Sequence, residues 1–153
     1  MNNSDTQKLG EPDLKMLGFK LWIHGRQFPE SDDFWDGNWL NITAYCGESG
    51  ANVLINGPYV SLNEIAQWKS ICNLLYQELT GEEELRFIEP NLNFQIRLNH
   101  GKGYLRIFIT PDQLNQSHWF EFEVDQSHLY HFISDCNSIL KKFPINGESQ
   151  FNA

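Results

Sequence analysis

His128 and His131 stand three residues apart, a spacing that on a helix puts two imidazoles on one face within reach of a single metal ion. No Cys or Glu follows at the usual third-ligand distance, so the residue types favour two solvated or hydrogen-bonded imidazoles over a metal centre. Glu121, Glu123 and Asp125 alternate in His118–Asp125 (HWFEFEVD). Same-face strand neighbours lie about 7 Å apart, which suits an acid/base pair. Any exposed acidic strand meets that test, however, and nothing in the sequence separates the two pKa values. Cys72 and Cys136 fall inside apolar helical stripes, where a thiol is a small inert hydrophobe. Cys46 ends a strand beside Gly47, which leaves solvent access open, but no Lys, Arg or His neighbours it to favour a thiolate. Gly101-Lys102-Gly103 lacks the glycine spacing and following helix of a phosphate loop. The residues therefore predict no catalytic group, no metal, no cofactor and no enzyme.

The elements that would carry these residues centre on Leu85–Thr110, LRFIEPNLNFQIRLNHGKGYLRIFIT. Glu89-Pro90-Asn91 and Asn99–Gly103 break it into three strands, because proline lacks a ladder donor and Asn and Gly accept turn conformations. In the middle strand Leu92, Phe94, Ile96 and Leu98 alternate with Asn93, Gln95, Arg97 and Asn99, the period of a sheet with one wet face. Upstream, Leu14–His24 reads as one strand with a bulge at Gly18. Asn38–Cys46 and Ala51–Val60 read as a hairpin with Leu40, Ile42, Ala44 and Cys46 inward, and Gly57-Pro58 places the second strand at an edge. Ser61 and Glu64 form a capping box, and Ile65, Trp68, Cys72, Leu75 and Leu79 give a helical stripe that stops near Thr80-Gly81. Glu82, Glu83 and Glu84 form a solvated acidic run. After Pro111–Ser117, a connection, His118–Asp125 turns Phe120, Phe122 and Val124 inward and Trp119, Glu121 and Glu123 outward. Ser127 or Asp125 then caps a helix with a stripe from Leu129 to Phe143, stopped by Pro144.

The expected fold is one α+β domain over residues 14–144, with loose tails at 1–13 and 145–153. It has a curved antiparallel sheet of about seven strands and two amphipathic helices on one face, in the order βββ-α-ββββ-α. No internal repeat or linker is visible. At 153 residues the core is self-sufficient without disulfide staples. Twenty acidic against eleven basic residues, net −9, argue against nucleic acid and anionic membranes and are compatible with a basic protein partner. Three unpaired cysteines, no apolar run near a membrane span and no leader pattern predict a cytoplasmic protein. Monomer and dimer both stay open.

One loop is unusual. Residues 25–37, GRQFPESDDFWDG, combine Phe28, Phe34 and Trp35 with Glu30, Asp32, Asp33 and Asp36. Such rings are either tucked under the loop or offered to a partner.

The sequence resembles the WapI-type immunity proteins, small cytosolic bacterial proteins encoded beside polymorphic toxins. The resemblance rests on Asp36-Gly37-Asn38-Trp39-Leu40 before an alternating strand, on the capped helix ending Leu75-Tyr76-Gln77-Glu78-Leu79, and on Leu85–Leu92 (LRFIEPNL) before the glycine-turn hairpin. The last helix, closing at Phe143-Pro144, fits as well. It implies a protein that binds a cognate toxin domain, of nuclease type and basic, and performs no reaction. Asp32, Asp33, Phe34, Trp35 and Asp36, together with Trp119, Glu121 and Glu123, are the expected interface, since they join rings to charge. Asn38, Trp39, Glu89, Pro90 and Asn91 are expected to be structural. A small-molecule module with a pocket between sheet and helices is the alternative, and an enzyme built on the acidic strand or the helix histidines is a third.

Overall fold

Apolar residues alternating in short runs between tight turns build strands, and two longer stripes at helical spacing build helices. The computed structural model describes residues 6–147. Strands β1 (Leu14–Met16), β2 (Phe19–Arg26), β3 (Trp39–Glu48) and β4 (Ala51–Ser61) form one antiparallel sheet in sequence order, followed by helix α1 (Leu62–Glu78). Strands β5 (Gly81–Arg86), β6 (Leu92–Asn99), β7 (Lys102–Ile109) and β8 (Trp119–Asp125) form a second, followed by helix α2 (Gln126–Lys142). The inward sets expected for β3, β6 and β8 are the buried ones, apart from a half-buried Phe120. The protein is an α+β domain, and no described helix is long and apolar enough to cross a membrane.

The strand count and sheet layout differ from expectation. Leu14–His24 is not one strand, because Leu17 takes a left-handed φ of 56° and turns the chain back as β2, raising the strands to eight. Gly18 is needed there for another reason. A Cβ on it would collide with the Gly47 carbonyl and the Phe122 ring, so its absence lets the first sheet meet β8. The expected single sheet is divided in two, since β4 and β8 share no ladder. The acidic run belongs to β5, and Leu79, at φ 62°, takes the left-handed position that ends α1.

Each half is a four-strand meander followed by a 17-residue capped helix. The matching extends to single bonds and residues. The first helical N–H of α1, on Leu62, donates to the carbonyl of Asn38 just before β3, and that of α2, on Gln126, donates to Gly101 just before β7. Buried Ile65, Trp68, Cys72 and Leu75 recur in register as Leu129, Phe132, Cys136 and Ile139. Contacts between the halves exchange in pairs: α1 packs on β5 and α2 on β1, while β3 approaches β8 and β4 approaches β7. Exchanging the halves maps every one of these contacts onto another, the signature of an approximate twofold. The expectation of no repeat is therefore overturned in structure.

At the centre of that arrangement Trp68 is 1% exposed. Its ring meets Phe19 of the first sheet at 5.6 Å, Phe94 of the second at 5.2 Å, Phe87 at 5.1 Å and Phe132 of α2 at 5.1 Å between centroids.

Glu64 fastens α1 to the second sheet. Its Oε1 accepts the Ser61 N–H at 2.9 Å, completing the capping box, and its Oε2 accepts the Ile88 N–H at 2.8 Å. Burial pushes its carboxyl above the usual range against the lowering pull of those bonds. A raised folded pKa disfavours the ionised form, so this contribution is full below the unfolded value and fades as pH rises through the folded one. Relative to Glu64→Gln, which keeps the shape and cannot ionise, the wild type should lose stability as pH rises above the ordinary carboxylate range, read in denaturant melts. A pH-independent difference would assign the carboxylate no burial cost.

Candidate protein interface

The loop between β2 and β3 is tied down at its base by side chains that reach backbone carbonyls. Arg26, at the end of β2, donates to the carbonyls of Gly37 at 2.6 Å and Pro144 at 2.5 Å, so its guanidinium is held by backbone and not by the neighbouring carboxylates. Asn38 is fully buried. Its Nδ2 donates to the carbonyls of Phe34 at 2.8 Å and Asn146 at 3.0 Å, and its Oδ1 accepts the Asn146 N–H at 2.7 Å. The Asn146 amide returns to the Ser31 and Gly37 carbonyls at 3.4 and 3.2 Å. Gly147 lies against Phe34 so closely that a Cβ there would press on its backbone. Within the loop, Asp33 accepts the Trp35 N–H at 2.6 Å. Pro144 and residues 145–147, the start of the expected C-terminal tail, thus clasp the loop; residues 1–5 and 148–153 of the two expected tails lie outside the described residues.

On this base the loop brings together most of what the sequence singles out. Phe34 and Trp35 meet edge to face at 5.2 Å and 86°. Phe34 is half-buried, whereas Trp35 is 47% exposed and Phe28 46%. Glu30, Asp32, Asp33 and Asp36 are all exposed, and Phe28, Glu30 and Asp36 help to line a cleft of about 500 Å³. Of the three rings, one is half-buried and two are exposed.

The second group lies on a different element, the outer face of β8. Trp119 is 43% exposed, with the Arg106 guanidinium 4.6 Å over its ring and Phe108 at 5.1 Å. Cross-strand register sets Arg106 opposite Glu121, Tyr104 opposite Glu123 and Arg97 opposite Glu82. The face is thus a mixed-charge surface around a cleft of about 530 Å³, more balanced than β8 alone suggests. The arginines that balance it sit on β6 and β7, and only the register reveals them. The β2–β3 loop differs in that its four exposed carboxylates form no ion pair among the described residues.

The residues with chemical potential have structural positions. Cys46 is fully buried, contrary to an open strand end, and burial, reinforced by Glu48, pushes its thiol up to about 12. Burial likewise pushes Cys136 up to about 12 and Cys72 well above the ordinary range, so none of the three offers a thiolate at neutral pH. His128 Nδ1 accepts the Asp125 N–H at 3.0 Å as the reciprocal half of the α2 cap, and His131 meets the Tyr130 ring edge-on. Among the described residues no three His, Cys, Asp or Glu side chains converge as a metal site. Between the sheets and helices the ring cluster around Trp68 occupies the centre, and an open groove of about 680 Å³ lies between α1 and β5, lined by Ile71, Glu84 and Leu85.

Two of the motif residues expected to be structural prove to be loop anchors. Asn38 holds the β2–β3 loop, and buried Asn91 donates its Nδ2 to the Thr110 carbonyl at 2.9 Å where β7 ends.

No curated protein and no solved structure matches the chain. The family described as "Immunity protein WapI-like family" matches residues 13–144, from the strand that opens the first sheet to the proline that follows α2. That span takes in both meanders, both helices and both anchoring asparagines, and the chain belongs to the WapI-like immunity protein family.

Proposed function

We propose that this protein neutralises a cognate toxin domain by binding it, with the β2–β3 loop as the principal contact, and that it acts in the cytosol without catalysing a reaction. Family membership supports the immunity role. The observation that carries the finer statement is a braced loop that presents Phe28 and Trp35 among four exposed carboxylates, none of which forms an ion pair among the described residues. Rigid aromatic anchors supply affinity at low ordering cost, and a cluster of one sign steers a basic partner. A toxin that acts on nucleic acid must carry a basic substrate surface, and such a loop can occupy it in place of phosphates. Trp119, Glu121 and Glu123 are the second candidate contact, on a face that also carries Arg97 and Arg106.

The test is a pull-down of the product of the adjacent upstream reading frame, followed by growth of cells expressing that product with and without this protein. Binding with restored growth is the expected result. A folded protein that neither binds nor protects would overturn the proposal.

A further inference from the structure

The approximate twofold provides an internal control for which parts the fold requires. The second half joins β6 to β7 through His100 and Gly101 alone, while the first half uses residues 27–38 for the equivalent join. At the next connection the asymmetry reverses. The first half joins β3 to β4 through Ser49 and Gly50, while the second uses residues 110–118 between β7 and β8. Each half shows that the other's long connection is not needed to build the meander.

The 110–118 loop is also held in shape. Asn91 clamps its start, exchanging bonds with Thr110 at 2.9 and 3.0 Å. The hydroxyl of fully buried Thr110 lies within hydrogen-bond reach of the Asp112 and Gln116 carbonyls, to which its single proton can be donated, and accepts the Asp112 N–H at 3.2 Å; Asp112 accepts the Leu114 N–H at 3.0 Å and the Asn115 amide at 2.9 Å. At the apex Leu114 is 87% exposed, the highest value among the large exposed apolar side chains described. Leaving that leucine in water adds nothing to the core, whereas a loop ordered from within reduces the entropy lost when the leucine enters a pocket.

We propose that the β7–β8 loop is a second toxin-binding element, with Leu114 as its apolar anchor and Trp119, at the start of the strand it leads into, as its neighbour. This rests on the immunity function proposed above. The partner is the same toxin domain, which must offer an apolar pocket for the leucine beside a basic rim for Asp112, an exposed carboxylate held below its usual pKa by Asn115 and the Leu114 N–H.

The experiment is surface-immobilised binding of the full-length wild type, Leu114→Glu and Leu114→Met to the toxin domain. Thermal melts confirm folding, which an exposed residue leaves unchanged. Leu114→Glu should weaken binding tenfold or more, chiefly through faster dissociation, and Leu114→Met should bind within a few-fold of wild type. Equal affinity for Leu114→Glu would overturn this proposal and leave the immunity reading intact. Failure of the wild type to bind would overturn both. A Leu114→Glu variant that changes the sedimentation of the free protein, with toxin affinity intact, would overturn it in favour of self-association.

Discussion

Trp68→Ala should lower the unfolding free energy by about 3–5 kcal/mol, the range for truncating a large buried aromatic, and place the protein near the limit of a typical domain's stability. The ring is the shared contact of both sheets and both helices, so its loss leaves a cavity that no single element can move to fill. Phe132, at the equivalent position of α2, gives the internal comparison. Phe132→Ala should be costly too, but it removes fewer ring contacts. Urea melts monitored by far-UV circular dichroism measure both. A loss under about 1 kcal/mol for Trp68→Ala would mean that the halves cohere elsewhere.

The largest functional effect is expected from Asp32→Lys combined with Asp33→Lys. Reversing two exposed carboxylates in a patch that steers a basic partner should slow association with the toxin by roughly tenfold or more at low ionic strength, with the difference shrinking as salt is added. Stability should change little, because both side chains are exposed and the one bond lost, from the Trp35 N–H to Asp33, lies within the loop. Stopped-flow association at several salt concentrations decides it. Equal rates at low salt would remove this loop from the interface and leave the mixed-charge face of the second sheet and the β7–β8 loop as the remaining candidate contacts.

Much of the scaffold was legible because period-two alternation and helical stripes are local signals. The buried sets of β3 and β6, the Ser61–Glu64 box and the α2 stripe follow directly from the order of residues. The β1–β2 turn was not, since Leu17 takes a left-handed conformation without the Asn or Gly that announces one. The repeat was hidden because equivalent positions carry different residues in the same role. Ser61 and Asp125 both cap, Glu64 and His128 both answer the cap, and Trp68 and Phe132 both fill the centre. In the interface, composition disclosed the rings and carboxylates of the β2–β3 loop. Its bracing by Arg26, Asn38 and Asn146 depends on contacts between distant residues, and the pairing of Glu121 with Arg106 depends on strand register; neither has a local signature.

The clasp on the β2–β3 loop also has a consequence in time. Asn38 closes on Asn146, which leaves the ribosome 108 residues later, and β1 waits for α2 to cover it. Folding that depends on such distant contacts comes late, after most of the chain has been synthesised. A nascent chain halted before residue 144 would carry every aromatic and acidic group of the loop and still lack the geometry to use them. On the function proposed above, toxin binding through this loop is expected only of chains that extend past Asn146.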